Sequence, residues 1–337
     1  MSNRENRKFS IIIPVQEIND YILETCQNLK NLNGDCFEVF IFPDEIEESK
    51  KEELEKKLKA KIFATGNIGP AGKRDMALKY AQGEFLAFLD DDAYPKADWL
   101  GVAEKYLENL EVAAIGGPQL TPNSDSFWQK VSGAVFLSPL SGNVSLRYWP
   151  GRKAKEVDDW PTVNFIIRKS IFSELGGFAS QYWPGEDTKL CLAITRELKK
   201  KIMYIPSLIV FHHRRTGLKK HLKQVGSYGL HRGFFAKKFP ETSRKLIYFL
   251  PSLLDIFIIF GAVASFFSKE VFVPYIFGLA IYSGALLFSF VLTWNRTKDL
   301  LVSLITLPFL VLTHLWYGAR FIQGFVFTGE LKSQLGK

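Results

Sequence analysis

The segment Gly83–Trp99, GEFLAFLDDDAYPKADW, is an apolar, strand-like run that ends in three consecutive carboxylates, Asp90, Asp91 and Asp92. Adjacent carboxylates repel one another, and a divalent cation brought by a phosphorylated substrate is the ordinary means of compensating them. Mg2+ or Mn2+ is expected, because a hard divalent ion takes oxygen ligands and is satisfied by one or two carboxylates, two phosphate oxygens and water. Asp92 is the leading metal ligand, Asp90 lies nearer the strand and faces a nucleoside sugar, and Asp91 supports either. Capping the following helix would use one of these side chains, not three.

A second acidic pair closes Tyr182–Asp187, YWPGED, ahead of a helical pattern that runs to Leu198. Carboxylates in a first helical turn are favoured by the helix dipole, so capping alone would explain Glu186 and Asp187. Together with the aspartate cluster they suit group transfer to a hydroxyl, which needs one acidic site for a leaving diphosphate and another to accept a proton. A third constellation is Phe211–Arg215, FHHRR, followed by Gln224 and Tyr228. A histidine after a strand serves structure more often than it ligates. His212 or His213 is in place to reach metal or phosphate, with His213 assigned beside Asp92, while Arg214 and Arg215 can clamp phosphates in bidentate fashion.

The elements that must position these groups alternate. Phe9–Pro14, Phe37–Phe42, Lys61–Ala64, Glu84–Leu89 and Val112–Gly116 read as strands, and Asp20–Leu32, Ser49–Lys59, Ala71–Ala81 and Ala97–Asn109 as helices. This order predicts a mainly parallel, doubly wound α/β sheet. Ligands bind beyond the carboxyl ends of such strands, where Asp44 and Asp90–Asp92 fall. Cys26, Cys36 and Cys191 have no metal-binding spacing and are odd in number, which fits a reduced, cytosolic domain.

From Leu246 the chain changes character. Leu246–Phe267, Val271–Trp294 and Leu300–Tyr317 are apolar segments near the ~20 residues a helix needs to cross a bilayer. The expected division is a soluble domain over residues 1–240, with a basic interfacial segment at 214–245, and a membrane domain of about three helices over 246–330. Formal net charge is +8, but Arg196–Lys245 holds 14 Lys/Arg against two Glu, so the rest of the chain is net acidic. That local basicity, placed before the first apolar segment, suits anionic headgroups or lipid-linked phosphates rather than nucleic acid. MSNRENRKFSIIIPV lacks the apolar stretch of a signal peptide, so the first domain is expected to stay on the cytosolic face of the cell membrane. Arg244, Lys245, Arg296 and Lys298 agree with that orientation, and three spans would leave the tail outside, unless Gly318–Gly329 is re-entrant or interfacial. Asp255 and His314 are costly in lipid and so either face a lipid-carrier groove or pack between helices.

FSIIIPV, GNIGPAGKRDMAL, GEFLAFLDDDAYPKADW, NFIIRKSIFSELGGF and PGED, in this order over residues 9–240, resemble the family 2 glycosyltransferases of GT-A fold. The resemblance implies a metal-dependent, inverting transfer of a sugar from a nucleotide-sugar donor, a UDP-sugar being favoured. A lipid-linked acceptor in surface polysaccharide or glycolipid synthesis fits the apolar segments. It implies donor binding by Pro14, Asp44, Arg74, Asp90, Asp91, Arg214, Arg215 and Gln224, with Asp44 and Arg74 at the base and Asp90 at the ribose. Asp92 matches the metal aspartate and Asp187 the catalytic base, with Glu186 placing the acceptor. Phe42-Pro43-Asp44-Glu45 departs from the family's usual two aspartates, glycine and serine, and Gln224-Val-Gly-Ser-Tyr228-Gly lacks the tryptophan of processive synthases. Alternatives are a polyprenyl-phosphate acceptor, a sugar nucleotidyltransferase and a catalytically silent scaffold.

Overall fold

The computed structural model describes residues 8–34, 36–180 and 182–331. Residues 1–7, in which no signal peptide is expected, and the tail at 332–337 lie outside the described residues. The chain divides into two compact units, one running to Leu120 and resuming over Pro150–His212, the other made of Thr121–Trp149 and His213–Leu331. The division expected near residue 240 therefore differs from the observed one. The reason is α6 (Phe127–Leu137), whose Val131, Ala134 and Val135 join Val302, Phe309 and Leu310 in one buried apolar cluster of the second unit.

The first unit is an α/β unit built on a mixed sheet. Strands β1 (Phe9–Pro14), β2 (Phe37–Phe42), β3 (Lys61–Ile62), β4 (Phe85–Leu89) and β6 (Val112–Gly116) form where the apolar runs predict them. With β8 (Lys155–Val157), β9 (Asn164–Arg168) and β10 (Lys201–Tyr204) they are ordered β3-β2-β1-β4-β9-β6-β10-β8. The pairs β3/β2, β2/β1, β1/β4 and β6/β10 are parallel, whereas β9 runs antiparallel to both β4 and β6. Apolar side chains of β1, β2 and β4 pack on α1 (Asp20–Leu29) and α5 (Trp99–Leu107), burying Ile22, Cys26, Trp99, Ala103 and Leu107 with Ile11, Ile13, Val39, Ile41 and Leu89. Each large aliphatic or aromatic side chain so buried contributes roughly 1.5–3 kcal/mol. Helix α2 (Glu48–Leu58) follows β2 and α8 (Lys169–Glu174) follows β9, whereas the helix expected over Ala71–Ala81 is interrupted at Met76 into α3 (Gly69–Asp75) and α4 (Ala77–Tyr80).

A second, three-stranded sheet, β5-β11-β7, joins β5 (Ala93–Pro95), β11 (Val210–His212) and β7 (Gln119–Leu120). Its register sets His212 opposite Ala93 and Val210 opposite Gln119. Asn164, fully buried at the start of β9, ties together the two chain segments that lead into it: Nδ2 donates to the carbonyls of Leu208 at 2.7 Å and Pro118 at 3.2 Å, and Oδ1 accepts from Trp99 Nε1 at 3.0 Å. The segments cross at Gly117, where a Cβ would fall 1.8 Å from the Leu208 carbonyl oxygen.

The second unit is helical. Besides α6 it contains α7 (Ser145–Tyr148), α10 (Gly217–Lys238), α11 (Pro240–Ser243), α12 (Leu246–Phe267), α13 (Lys269–Thr297) and α14 (Leu300–Ile322). The last three lie in helical stretches long and apolar enough to cross a membrane. His221 of α10 is fully buried, its Nδ1 2.8 Å from Ser132 Oγ on α6 and its Nε2 2.8 Å from Thr313 Oγ1 on α14, so one imidazole pins three helices. Burial pulls its pKa from 6.5 down to about 4.

Two stability predictions follow from these anchors. Asn164→Ala strands two carbonyls and an indole N–H in the core, at about 1–3 kcal/mol for each group left unpaired, and should lower the thermal unfolding midpoint by several degrees without a change in helix content by circular dichroism. The neutral His221 favours the folded state fully above its unfolded pKa of 6.5, and this contribution is lost as pH falls through 4. His221→Gln should therefore gain on the parent by up to about 3 kcal/mol between pH 7 and pH 4, read as convergence or crossing of the two unfolding midpoints.

Candidate active site

The three aspartates after β4 each have a different protein partner. Asp90 Oδ1 receives Arg74 Nη2 at 2.6 Å, and Asp91 Oδ2 receives the Asn19 side-chain amide at 3.2 Å, next to the first turn of α1. Asp92 is buried, with Oδ1 3.0 Å from His212 Nε2. Their mutual repulsion is thus divided among separate partners. Asp90, Asp92 and His212 each offer a ligand atom, all within 4.8 Å of one another, and form a cluster able to hold a metal ion. His212 reaches the cluster because β11 pairs with β5 in the register given above. Its Nδ1 donates to the buried Gln119 Oε1 on β7, which orients the ring and directs Nε2 at Asp92.

The Glu-Asp pair comes to the same place through one side chain. Arg74, 3% exposed, bonds Asp90 with Nη2 and Glu186 Oε1 with Nη1, at 3.2 Å. Its guanidinium lies over the ring of Phe178, 5.9 Å from the centroid, and Asp75 Oδ1 holds Phe178 by accepting from its backbone N–H at 2.7 Å. Gly185 takes a positive φ of 116° ahead of α9 (Glu186–Leu192) and turns both acids into the helix start. Glu186 is buried, whereas Asp187 is half-buried and accepts from the Thr188 backbone N–H at 2.8 Å. Burial foremost, and then the neighbouring Asp187 charge, raise the pKa of Glu186, while Arg74 opposes the rise. Asp187 is therefore the more accessible carboxylate of the pair.

Pro14 is buried at the end of β1, and Asp44 is half-buried just beyond β2. Lys73, itself buried, bonds both the Asp44 carboxylate and the Val15 carbonyl. Asp44 and Arg74, expected together at the nucleobase, have separate protein partners: adjacent residues of α3 diverge, Lys73 to Asp44 and Arg74 to Asp90 and Glu186. In the second unit, His213 Nδ1 faces Asp125 Oδ1 at 2.5 Å, and Asp125 Oδ2 also accepts from the Arg214 backbone N–H at 3.2 Å. The assignment of His213 as the metal-side histidine is therefore corrected to His212; consecutive residues along extended chain project to opposite sides. Arg214 is buried, bonded through Nε to Thr121 Oγ1 at 3.1 Å and stacked 4.6 Å over the Tyr148 ring, whereas Arg215 is exposed. Gln224 is half-buried and donates to Tyr228 Oη at 3.1 Å along α10.

Residues 10–176 match the family model Glycosyl transferase family 2. The chain carries a family 2 glycosyltransferase domain. It is 26% identical over 181 residues to the pre-mycofactocin glycosyltransferase of Mycobacterium tuberculosis, an alignment covering 53% of this chain and 37% of that protein. The chain thus spans little more than a third of that relative. It is also 26% identical over 244 residues, 68% of this chain and 74% of the relative, to a Methanococcus voltae dolichyl N-acetyl-alpha-D-glucosaminyl phosphate 3-beta-D-2,3-diacetamido-2,3-dideoxy-beta-D-glucuronosyltransferase. Among solved structures, the mannosyltransferase PcManGT of Pyrobaculum calidifontis, in complex with GDP-Man and Mn2+, aligns with a TM-score of 0.55 at 15% identity, covering 97% of this chain and 89% of that one. At that identity the likeness is one of fold.

For this glycosyltransferase domain, sequence reasoning placed the aspartate cluster and the Glu-Asp pair but gave no signal for Gln119, Asp75 or the bridge from Arg74 to Glu186. Only the hydrophobic surroundings of Gln119, QL after a Gly-Gly-Pro turn, marked it as a polar residue entering a strand. The charge balance fits a cation: one guanidinium is shared between Asp90 and Glu186, Asp187 is close enough to Glu186 to raise its pKa, and Arg74 Nε is buried without a hydrogen-bond partner among the described residues. Arg74→Met should lower the unfolding midpoint most at alkaline pH. Removing one partner of a buried ion pair costs about 3–5 kcal/mol. Because Glu186 already has a raised pKa, its protonation on acidification should restore much of the loss, so the deficit at pH 5 should be well below that at pH 8.

Proposed function

We propose that the chain is a membrane-bound, inverting glycosyltransferase that moves one sugar from a nucleoside diphosphate sugar to a lipid-linked acceptor. The observation that carries this reading is the Arg74 bridge, which brings the Asp90–Asp92 cluster and the Glu186-Asp187 pair within reach of one guanidinium. A donor diphosphate belongs at the Asp90, Asp92 and His212 cluster, where a bound Mg2+ or Mn2+ supplies a Lewis acid for the departing phosphate oxygens. Asp90 and Asp92 offer oxygen ligands and His212 Nε2 a nitrogen, a set both ions accept. Pro14 and Asp44 stand at the ends of neighbouring parallel strands, where a nucleoside belongs. With Asp44 engaged by Lys73, base recognition falls to the pair rather than to Asp44 alone.

In the reaction, the acceptor hydroxyl oxygen forms a bond to the anomeric carbon as that carbon's bond to the diphosphate oxygen breaks. The hydroxyl proton passes to Asp187, the nucleoside diphosphate leaves with the bonding pair, and attack from the opposite face inverts configuration. Glu186 stays buried against Arg74 and orients the helix start that carries Asp187. Within the second unit, Arg214 is held by Thr121 and Tyr148, which leaves the exposed Arg215 and the half-buried Gln224 as that unit's assigned phosphate contacts. A lipid-linked acceptor is supported by the three long apolar helices and by the name of the methanogen relative, and a cytosolic catalytic face by the Lys/Arg flanking them.

The test is a set of incubations of purified protein with UDP- and GDP-sugars, membrane lipid extract and Mn2+ or Mg2+. The parent should release nucleoside diphosphate and yield a lipid-extractable glycoside. Loss of a general base typically costs 10²–10⁴-fold, so Asp187→Asn should reduce product at least 100-fold while donor binding persists, whereas Asp92→Ala and chelation should weaken donor binding itself. Equal product from Asp187→Asn and parent would remove the base role, and pyrophosphate released from a nucleoside triphosphate and a sugar phosphate would reassign the chain as a nucleotidyltransferase.

A further inference from the structure

The helical unit contains an asymmetry that length and hydropathy do not show. Helices α12 and α13 turn back on each other across Ser268 and pack antiparallel: the Phe257 and Tyr275 rings are 5.3 Å apart, and a Cβ on Gly278 would fall 2.4 Å from the Phe257 ring. With 22 and 29 residues they extend for about 33 and 43 Å at 1.5 Å per residue. Each can cross a hydrocarbon core of about 30 Å. The end of α13 therefore lies on the side where α12 begins, and α14 starts there too, only Lys298 and Asp299 intervening.

A third span starting on that side would end beside the far tip of the hairpin, near Phe266 and Phe267. It does not. The Phe321 and Phe325 rings lie 4.7 and 5.4 Å from that of Phe249, in the first turn of α12, and the Gly318 carbonyl accepts from Ser252 Oγ at 3.0 Å. At the middle of α14, His314 Nδ1 is 2.8 Å from Tyr282 Oη on α13. So α14 passes across the hairpin and finishes on the side from which it set out.

Helix α10 accompanies it. His221 meets Thr313, a Cβ on Gly226 would fall 2.2 Å from Trp316 Nε1, one on Gly233 2.2 Å from the Phe321 carbonyl oxygen, and Lys237 Nζ donates to the Thr328 carbonyl at 2.7 Å. Exposed lysines stand at both ends of α10, Lys219, Lys220 and Lys223 at one and Lys237 and Lys238 at the other. Lys220 and Lys238 are about 27 Å apart along the axis. A helix pair charged at both ends suits the plane of the headgroups, with lysine stems reaching anionic lipid, and not the hydrocarbon core.

We infer that α14 is an interfacial helix lying with α10 at the headgroup and acyl boundary, that α12 and α13 alone cross the bilayer, and that Leu331 lies on the side where α12 begins. This reverses the expectation that the tail is outside and makes the apolar stretch from Leu300 a membrane-binding surface. The experiment places single cysteines at Ser268, Lys298 and Gly329 in a chain carrying Cys36→Ser, the exposed native cysteine, with Cys26 and Cys191 left buried. Sealed vesicles of known orientation are treated with a membrane-impermeant maleimide. Lys298→Cys and Gly329→Cys should label at least tenfold more from one face, and Ser268→Cys from the other. Gly329→Cys labelling from the face of Ser268→Cys would overturn the inference. The same contrast can be read without internal substitutions, by protease digestion of N- and C-terminal epitope tags: removal from one common face supports the two-span topology, and removal from opposite faces overturns it.

Discussion

The buried guanidinium of Arg74 organises the first unit. Arg74 sits between Asp90 and Glu186, two carboxylates 96 positions apart in the chain, and without it the acids after β4 and the acids before α9 would be separate features of one surface. Burying a guanidinium is expensive, and bonds to two carboxylates with an aromatic ring beneath are the kind of setting that offsets the cost. The ion pair is also lopsided. One guanidinium is shared by two carboxylates, and the pKa of Glu186 is raised by burial first and by the neighbouring Asp187 charge second.

Much of this was legible in the sequence, for reasons particular to each element. Buried parallel strands leave continuous apolar runs, which is why β1, β2, β4 and β6 could be found to within a residue. The carboxylates at their ends stood out because polar residues directly after such runs fall at the carboxyl edge of the sheet. β9 was harder: NFIIR is as apolar as the others, but nothing in five residues reveals direction, and its antiparallel course follows from its neighbours. The choice between His212 and His213 depended on strand register, which local composition does not encode. Asp44 and Arg74 were both assigned to the nucleobase through the family resemblance, but on α3 it is Lys73 that meets Asp44, while Arg74 turns to Asp90 and Glu186.

The membrane part was read from composition and was the least determined by it. Hydropathy finds apolar helices but not their direction, and α14 differs from α12 chiefly in which neighbours cover it. Its buried Ser303, Thr306, Thr313 and His314 are partnered by Thr297 and Tyr282 of α13, His221 of α10, the Asp299 and Leu140 carbonyls, or its own backbone. Ser303, Thr306 and Thr313, at intervals of three and seven residues, recur on one helix face, which is the sequence pattern of a helix with one protein-facing side.

The glycines of α10 have a mechanical corollary. At Gly226, Gly229 and Gly233 the backbone meets Trp316, Tyr317 and Phe321 with no room for a methyl group, and Gly324 returns the close approach against Leu230. Contacts this tight at four successive levels act as notches: a slide of one turn, or a rotation by one residue, would drive side chains into main chain at every level. The two helices are therefore keyed together like the teeth of a rack, and any force on one is borne by both.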